Sequence, residues 1–235
     1  LNPDLTPTFP TVMVPTAMGG WTTSSHSPFR VYVGPDSTVW LTDAADAHPM
    51  VYFADPDLAT ITPLFATPPE GGTKKTDGLI LDPGAAEVFG DTTAIWIEGS
   101  GATRKVFCSI QEIQPRDAVW RYDIPEGESL VSQVPTLVAD PPVGGTTMWY
   151  NDFVRDAAGN TYCINYTTNQ AWKYDSTGAL LATLEIGVGS SGICIDEARD
   201  IILICTLDGR ILKTNKEFAT VTPLLSGLGA TNRDV

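Results

Sequence analysis

Residues 151–186 read NDFVRDAAGNTYCINYTTNQAWKYDSTGALLATLEI. Four short runs, NDFVR, TYCINY, QAWKY and LLATLEI, alternate apolar with polar residues, the period of a half-buried strand. The connectors DAAGN and DSTG carry the Asp, Asn and Gly that tight hairpins need. Four antiparallel strands in sequence are the natural reading. The question is whether Asn151 and Asp152, at the head of the first run, open a ligand site or only begin a structural repeat.

The same pattern recurs along the chain. FRVYVGPDSTVWLTD, AIWIEGSGATRKVFCSI and SGICIDEARDIILICTL match the first two runs, and MVYFADPDLATITPLFA, AVWRYDIPEGESLVSQVPTLVA and RILKTNKEFATVTPLLS match the last two. Their third runs close on Asp55, Asp123, Asp175 and Asn215, and the last two stand about 40 residues apart, the length of a propeller blade. A four-stranded unit cannot bury both faces alone, so successive units must stack face to face. The fold class expected is therefore all-β, a β-propeller of four-stranded antiparallel blades. Blade-like units are expected at 27–66, 93–140, 148–186 and 190–226, with a partial unit at 228–235, in one domain over 1–235 or in part of a larger propeller. The leading Leu1 and the break at Val235 point to a processed chain or a fragment.

Large residues recur at matched places: Trp40, Phe107 and Tyr162 in the second strands, with Ile202 in the fourth unit, and Trp120, Trp172 and Leu212 in the third. Such recurrence points to packing between blades. Cys108 and Cys163 coincide at a position that Leu41 and Leu203 fill elsewhere, which marks the thiols as small core hydrophobes. A bridge between Cys194 and Cys205 depends on strand register.

Composition narrows the function. The chain has 235 residues, 43% of them hydrophobic, and a formal net charge of -14 from 28 acidic and 14 basic residues. Phosphate backbones would be repelled, so nucleic-acid binding is disfavoured. No apolar run is long enough for a helical membrane span. The acidic balance suits a soluble extracellular or cell-surface (secreted) protein. The four cysteines have neither CxxC spacing nor a histidine nearby, so they offer no zinc site.

From 150 to 215 the wording resembles the repeats of NHL-type propellers and of the gluconolactonase (SGL) superfamily, with an inner strand, then D-x-x-G-N, then an outward strand and K-Y-D-x-x-G. AVWRYDIPEGESLVSQVPTLVA also resembles uncharacterised secreted bacterial propellers with NHL-like blades. The resemblance is good over the last two units, weaker over 28–66 and 93–140, and absent for 1–20 and 67–92. It implies a propeller fold and, for the lactonase branch, a divalent cation in the central channel held by a Glu, an Asn and an Asp. Asn151 matches the family's Asn. Ser191, before Gly192, stands where the family's Asp would fall, and Pro28 and Phe29 stand where its Glu would.

The residues themselves offer a few sites. Asn151, Asp152 and Asp234 are expected near one mouth of the channel, where convergent oxygens suit a hard cation such as Ca²⁺. The reading favoured over a cation site is that they end strands and cap loops. Arg30 would occupy the corresponding place in the first unit, able to pair with these acids. Asp43, Asp46 and His48 lie close in sequence but match no known metal spacing, which favours a solvated turn. His26 and His48 have no G-x-S-x-G elbow to serve, and GVGSSG lacks the lysine of a phosphate loop. NYT at 165–167 is a glycosylation sequon, meaningful in a secreted eukaryotic chain. With the repeat clear and each catalytic constellation incomplete, the function expected is a non-enzymatic module that binds a protein, glycan or small molecule. The alternatives are a calcium-dependent lactonase-like hydrolase and a self-assembling subunit of a surface polymer.

Overall fold

Strands begin where the alternation places them. A computed structural model of the chain describes residues 28–43, 50–54, 61–63, 92–110, 118–123, 136–140, 142, 150–166 and 168–229. The first sheet holds β1 (Pro28–Val33), β2 (Val39–Asp43), β3 (Met50–Ala54) and β4 (Ile61–Pro63). The second holds β5 (Thr92–Glu98), β6 (Lys105–Ile110), β7 (Ala118–Asp123) and β8 (Thr136–Ala139). The third holds β9 (Tyr150–Arg155), β10 (Thr161–Asn165), β11 (Gln170–Tyr174) and β12 (Leu180–Glu185). The fourth holds β13 (Ser190–Asp196), β14 (Ile201–Thr206), β15 (Ile211–Thr214) and β16 (Thr222–Leu225). Each sheet is an antiparallel meander in chain order. Their first strands neighbour one another in turn, β1 beside β5, β5 beside β9 and β9 beside β13. Sheets so arranged form a β-propeller with the first strands innermost.

Turn chemistry sets the hairpins. Asp156 accepts the Asn160 N–H at 2.8 Å and Asp175 accepts the N–H groups of Thr177 and Ala179, so each acid closes its own loop. Gly178 has φ +87° and packs so closely on the second sheet that a Cβ would lie 3.2 Å from the Val138 carbonyl oxygen. A larger residue would strain the turn and push the sheets apart.

The third sheet shows why the units stack. Phe153, Cys163, Trp172 and Tyr174 from one of its faces share a core cluster with Ala94, Phe107, Val119 and Ala139 of the second sheet. Val154, Tyr162, Ile164 and Ala171 from its other face share a cluster with Ile193, Ile202, Ile204 and Leu212 of the fourth. Every residue of β10 is therefore buried, whereas all four of β16, on the outside, are exposed. Each fully buried large apolar side chain contributes about 1.5–3 kcal/mol, so these two interfaces dominate the stability of the sheet between them.

The alignment of β14 with the other second strands needs correction. Ile202 is not the counterpart of Tyr162: the two residues meet across one interface from opposite sheets. The cause is hairpin length. Arg155 pairs with Thr161 around 156–160, but Asp196 pairs with Ile201 around 197–200, one residue fewer, which shifts the second strand by one place and reverses its faces. Ile204, which pairs with Ile193 as Cys163 pairs with Phe153, is the true match for Cys163. Cys194 and Cys205 form no bridge, and both are free thiols. Cys205 faces Gly192 and Cys194 faces Leu203, so the two sit diagonally, about 7–8 Å apart, beyond disulfide reach.

Burial raises the pKa of the Cys108 and Cys163 thiols strongly, and raises that of half-buried Cys194 less. Titrating the native protein with an aromatic disulfide reagent should therefore modify Cys194 first and leave Cys108, Cys163 and Cys205 unreactive until denaturant is added. Four thiols reacting at one rate without denaturant would contradict this burial.

Candidate functional site: the axial channel

The innermost strands converge on a channel that, among the described residues, holds two chambers. At the ends where β9 and β13 begin, a chamber of about 270 Å³ is lined by residues that include Arg30, Asp152, Ile193 and Cys194. Where these strands end, a wider mouth of about 840 Å³ is lined by residues that include Glu98, Arg155, Asp156 and Glu197. Tyr32, Trp96 and Ile195 belong to both and form the collar between them.

Two sequence candidates, Arg30 and Asp152, line the smaller chamber, and a third, Asn151, joins them through the Ser191 carbonyl. The Arg30 guanidinium lies 3.1 Å from Asp152 Oδ2 and donates to the Ser191 carbonyl at 2.8 Å, which ties the first sheet to the third and fourth. Asn151 Nδ2 donates to the same carbonyl at 3.0 Å. Asp152 Oδ1 accepts the Phe153 N–H at 2.9 Å, and Oδ2 also accepts the Ile193 N–H at 3.1 Å. Both carboxylate oxygens are thus engaged, and a permanently charged guanidinium stands against them.

These residues do not fit a divalent cation in this arrangement. A hard cation needs six or more oxygen ligands facing one point, but Arg30 already supplies positive charge there and Asn151 presents its amide N–H₂ to Ser191. No group of three His, Cys, Asp or Glu side chains converges among the described residues. Asp46, His48 and Asp234 lie outside the described residues, as does the side chain of Asp43, whose backbone closes β2.

The wider mouth was not singled out by sequence reasoning. Arg155 Nε lies 2.7 Å from Glu98 Oε1 and its guanidinium covers the Phe107 ring at 4.0 Å, which joins the third sheet to the second. Arg104 repeats the device one sheet earlier, 2.6 Å from Asp36 and 5.5 Å from the centre of the Trp40 ring. The recurring aromatic at the second-strand position was the available signal, since two of the three carry an arginine from the following sheet. Glu197 accepts the Ala157 N–H at 2.7 Å and clasps the fourth sheet to the third. Burial disfavours the Asp156 carboxylate, but hydrogen bonds from Asn160 and Tyr162 outweigh it and hold its pKa below the usual range. Burial, and then the same bond to Asp156, push the pKa of the Tyr162 hydroxyl far up.

Comparison with solved structures follows from this geometry. A gluconolactonase from Xanthomonas campestris matches with a TM-score of 0.52 and 16% identity over 80% of this chain and 58% of its own. A calcium-binding protein, regucalcin, from Agrobacterium tumefaciens matches with a TM-score of 0.52 and 13% identity over 77% of this chain and 54% of its own. The chain has the fold of these propellers. A Bacteroides caccae protein of unknown function aligns with the propeller at a TM-score of 0.54 and 9% identity, over 88% of this chain and 63% of its own. This chain thus spans roughly three-fifths of the length of the propellers it matches. No protein-family model matches it, and no curated protein sequence matches it significantly. At these identities the likeness establishes the fold alone.

The Arg30–Asp152 contact can be weighed directly. A double-mutant cycle of Arg30→Met and Asp152→Asn, read by urea unfolding, should give a coupling of about 1–3 kcal/mol, because each single change strands a partner that is largely out of water. Additive single effects below about 0.5 kcal/mol would show the contact to be solvent-screened.

Proposed function

We propose that the chain is a non-enzymatic propeller module that binds its ligand at the axial channel, in an extracellular or cell-surface setting. The observation that carries this reading is Arg30. Its guanidinium supplies the charge that a metal would bring to the channel and saturates Asp152, the acid a metal-dependent hydrolase would need free. The channel keeps the properties of a binding site: an open concave mouth of about 840 Å³, within the size range of small-molecule pockets, with an aromatic floor and convergent polar groups. The formal charge of -14 and the residues 165–167 sequon support the extracellular setting. A calcium-dependent lactonase remains the rival reading, supported by the shared fold.

Calorimetric titration with Ca²⁺ and a screen of sugar and aliphatic lactones separate the two. The binding-module reading expects no saturable Ca²⁺ heat and no turnover above the uncatalysed rate. Saturable Ca²⁺ binding that Asp152→Asn abolishes, together with lactone hydrolysis, would replace it with the enzyme.

A further inference from the structure

We infer that the wider mouth of the channel takes an organic cation, an ammonium or guanidinium head on an apolar stem, seated between the Tyr32–Trp96 pair and Glu98. This rests on the channel being a binding site and names the chemistry it selects. The Tyr32 and Trp96 rings lie 5.1 Å apart, tilted by 49°, and form the collar at the bottom of the mouth. Both residues line the mouth, so a cation seated against the pair meets aromatic π surface that attracts positive charge once it is desolvated.

Glu98 supplies the counter-charge. Its Oε1 is held by Arg155, but Oε2 takes no hydrogen bond among the described residues, and the side chain is 34% exposed toward the mouth. Burial, then the nearby Glu98 charge, raise the pKa of the Tyr32 hydroxyl, which places the carboxylate beside the aromatic pair. The other acids that line the mouth are already committed. Asp156 holds Asn160 and Tyr162, Asp196 holds Arg199, and Glu197 holds Ala157 and Lys216. They contribute field more than contact.

The balance of donors decides against other ligands. Among the described residues Arg155 is the one lysine or arginine lining the mouth, and it is spent on Glu98 and Thr161 and stacked on Phe107. An anion would find no free cation there. A neutral polyol would gain the aromatic floor but could not use the charge on Glu98. A ligand that brings its own positive charge uses both, and the acidic protein as a whole steers it inward.

Calorimetry on the intact chain tests this with four probes: choline, its neutral isostere 3,3-dimethylbutanol, N-acetylarginine amide, and a short peptide with one central arginine. Choline and the arginine amide should bind at least tenfold more tightly than the neutral isostere. Trp96→Leu should weaken choline about tenfold and Glu98→Gln several-fold; because Glu98 also clasps Arg155, the Glu98→Gln melting midpoint should fall somewhat, and binding is read well below it, where the variant is fully folded. Tighter binding of the peptide than of the amide would assign the cation to a partner polypeptide, and equal binding to a free small molecule. Equal affinity for choline and its isostere, or full affinity in Glu98→Gln, would overturn the inference. If no cation binds but another compound from a ligand screen does, with Trp96 required, the cation assignment fails and the binding role stands. If nothing binds, both fail.

Discussion

The sheets in the middle of this protein have two apolar faces, and neither is left in water. That constraint decides the architecture. The third sheet shows it fully: Phe153, Cys163 and Trp172 leave on one side, and Val154, Tyr162 and Ile164 on the other. At about 25 cal/mol per Å² of apolar surface removed from water, covering both faces outweighs the ion pairs around them, most of which are partly solvated. A sandwich of two sheets would cover only one face of each. Stacking in series, with the first strands gathered at one axis, covers the interior faces of all four.

The charged contacts have a different role. Asp36–Arg104, Glu98–Arg155 and the bond from Ala157 to Glu197 each join neighbouring sheets at the wide end of the channel. Arg30 joins three sheets at the narrow end. Apolar faces slide over one another at little cost, whereas a guanidinium paired with one carboxylate and laid over one ring fixes a single alignment. The clasps thus set where the inner strands end relative to one another, and with that the shape of both chambers. The same residues set the charge of both chambers: Arg30 fills the narrow one with fixed charge, while Arg155 engages one oxygen of Glu98 at the wide one.

Much of the fold was legible because its cause is local. Alternation in NDFVR and QAWKY, and turn residues in DAAGN and DSTG, specify strands and hairpins without reference to the rest of the chain. The slip at Ile202 shows the limit of that reading: aligning units on their turns hides a loop shorter by one residue, and only pairing with Ile195 reveals which face Ile202 takes. The chamber around Asn151, Asp152 and Arg30 was partly visible, since all three head or approach the start of an inner strand. Ser191 takes part through its carbonyl, a group that every residue has, so its side chain could not announce it. The mouth was harder still. Tyr32, Trp96 and Glu98 are ordinary strand residues whose meeting depends on how two sheets are rotated about the axis, and no spacing within one sheet encodes that rotation.

The stacking of sheets through alternate faces is most directly tested by nuclear Overhauser contacts in the isotope-labelled protein. Methyl groups of Ala94, Val119 and Ala139 should show contacts to the Phe153 and Trp172 rings, and Ile193 and Ile204 methyls should show contacts to Val154 and Ile164. Contacts from Ile204 to the Trp172 ring, or from Val119 to Ile164, would place the wrong faces together and contradict the arrangement.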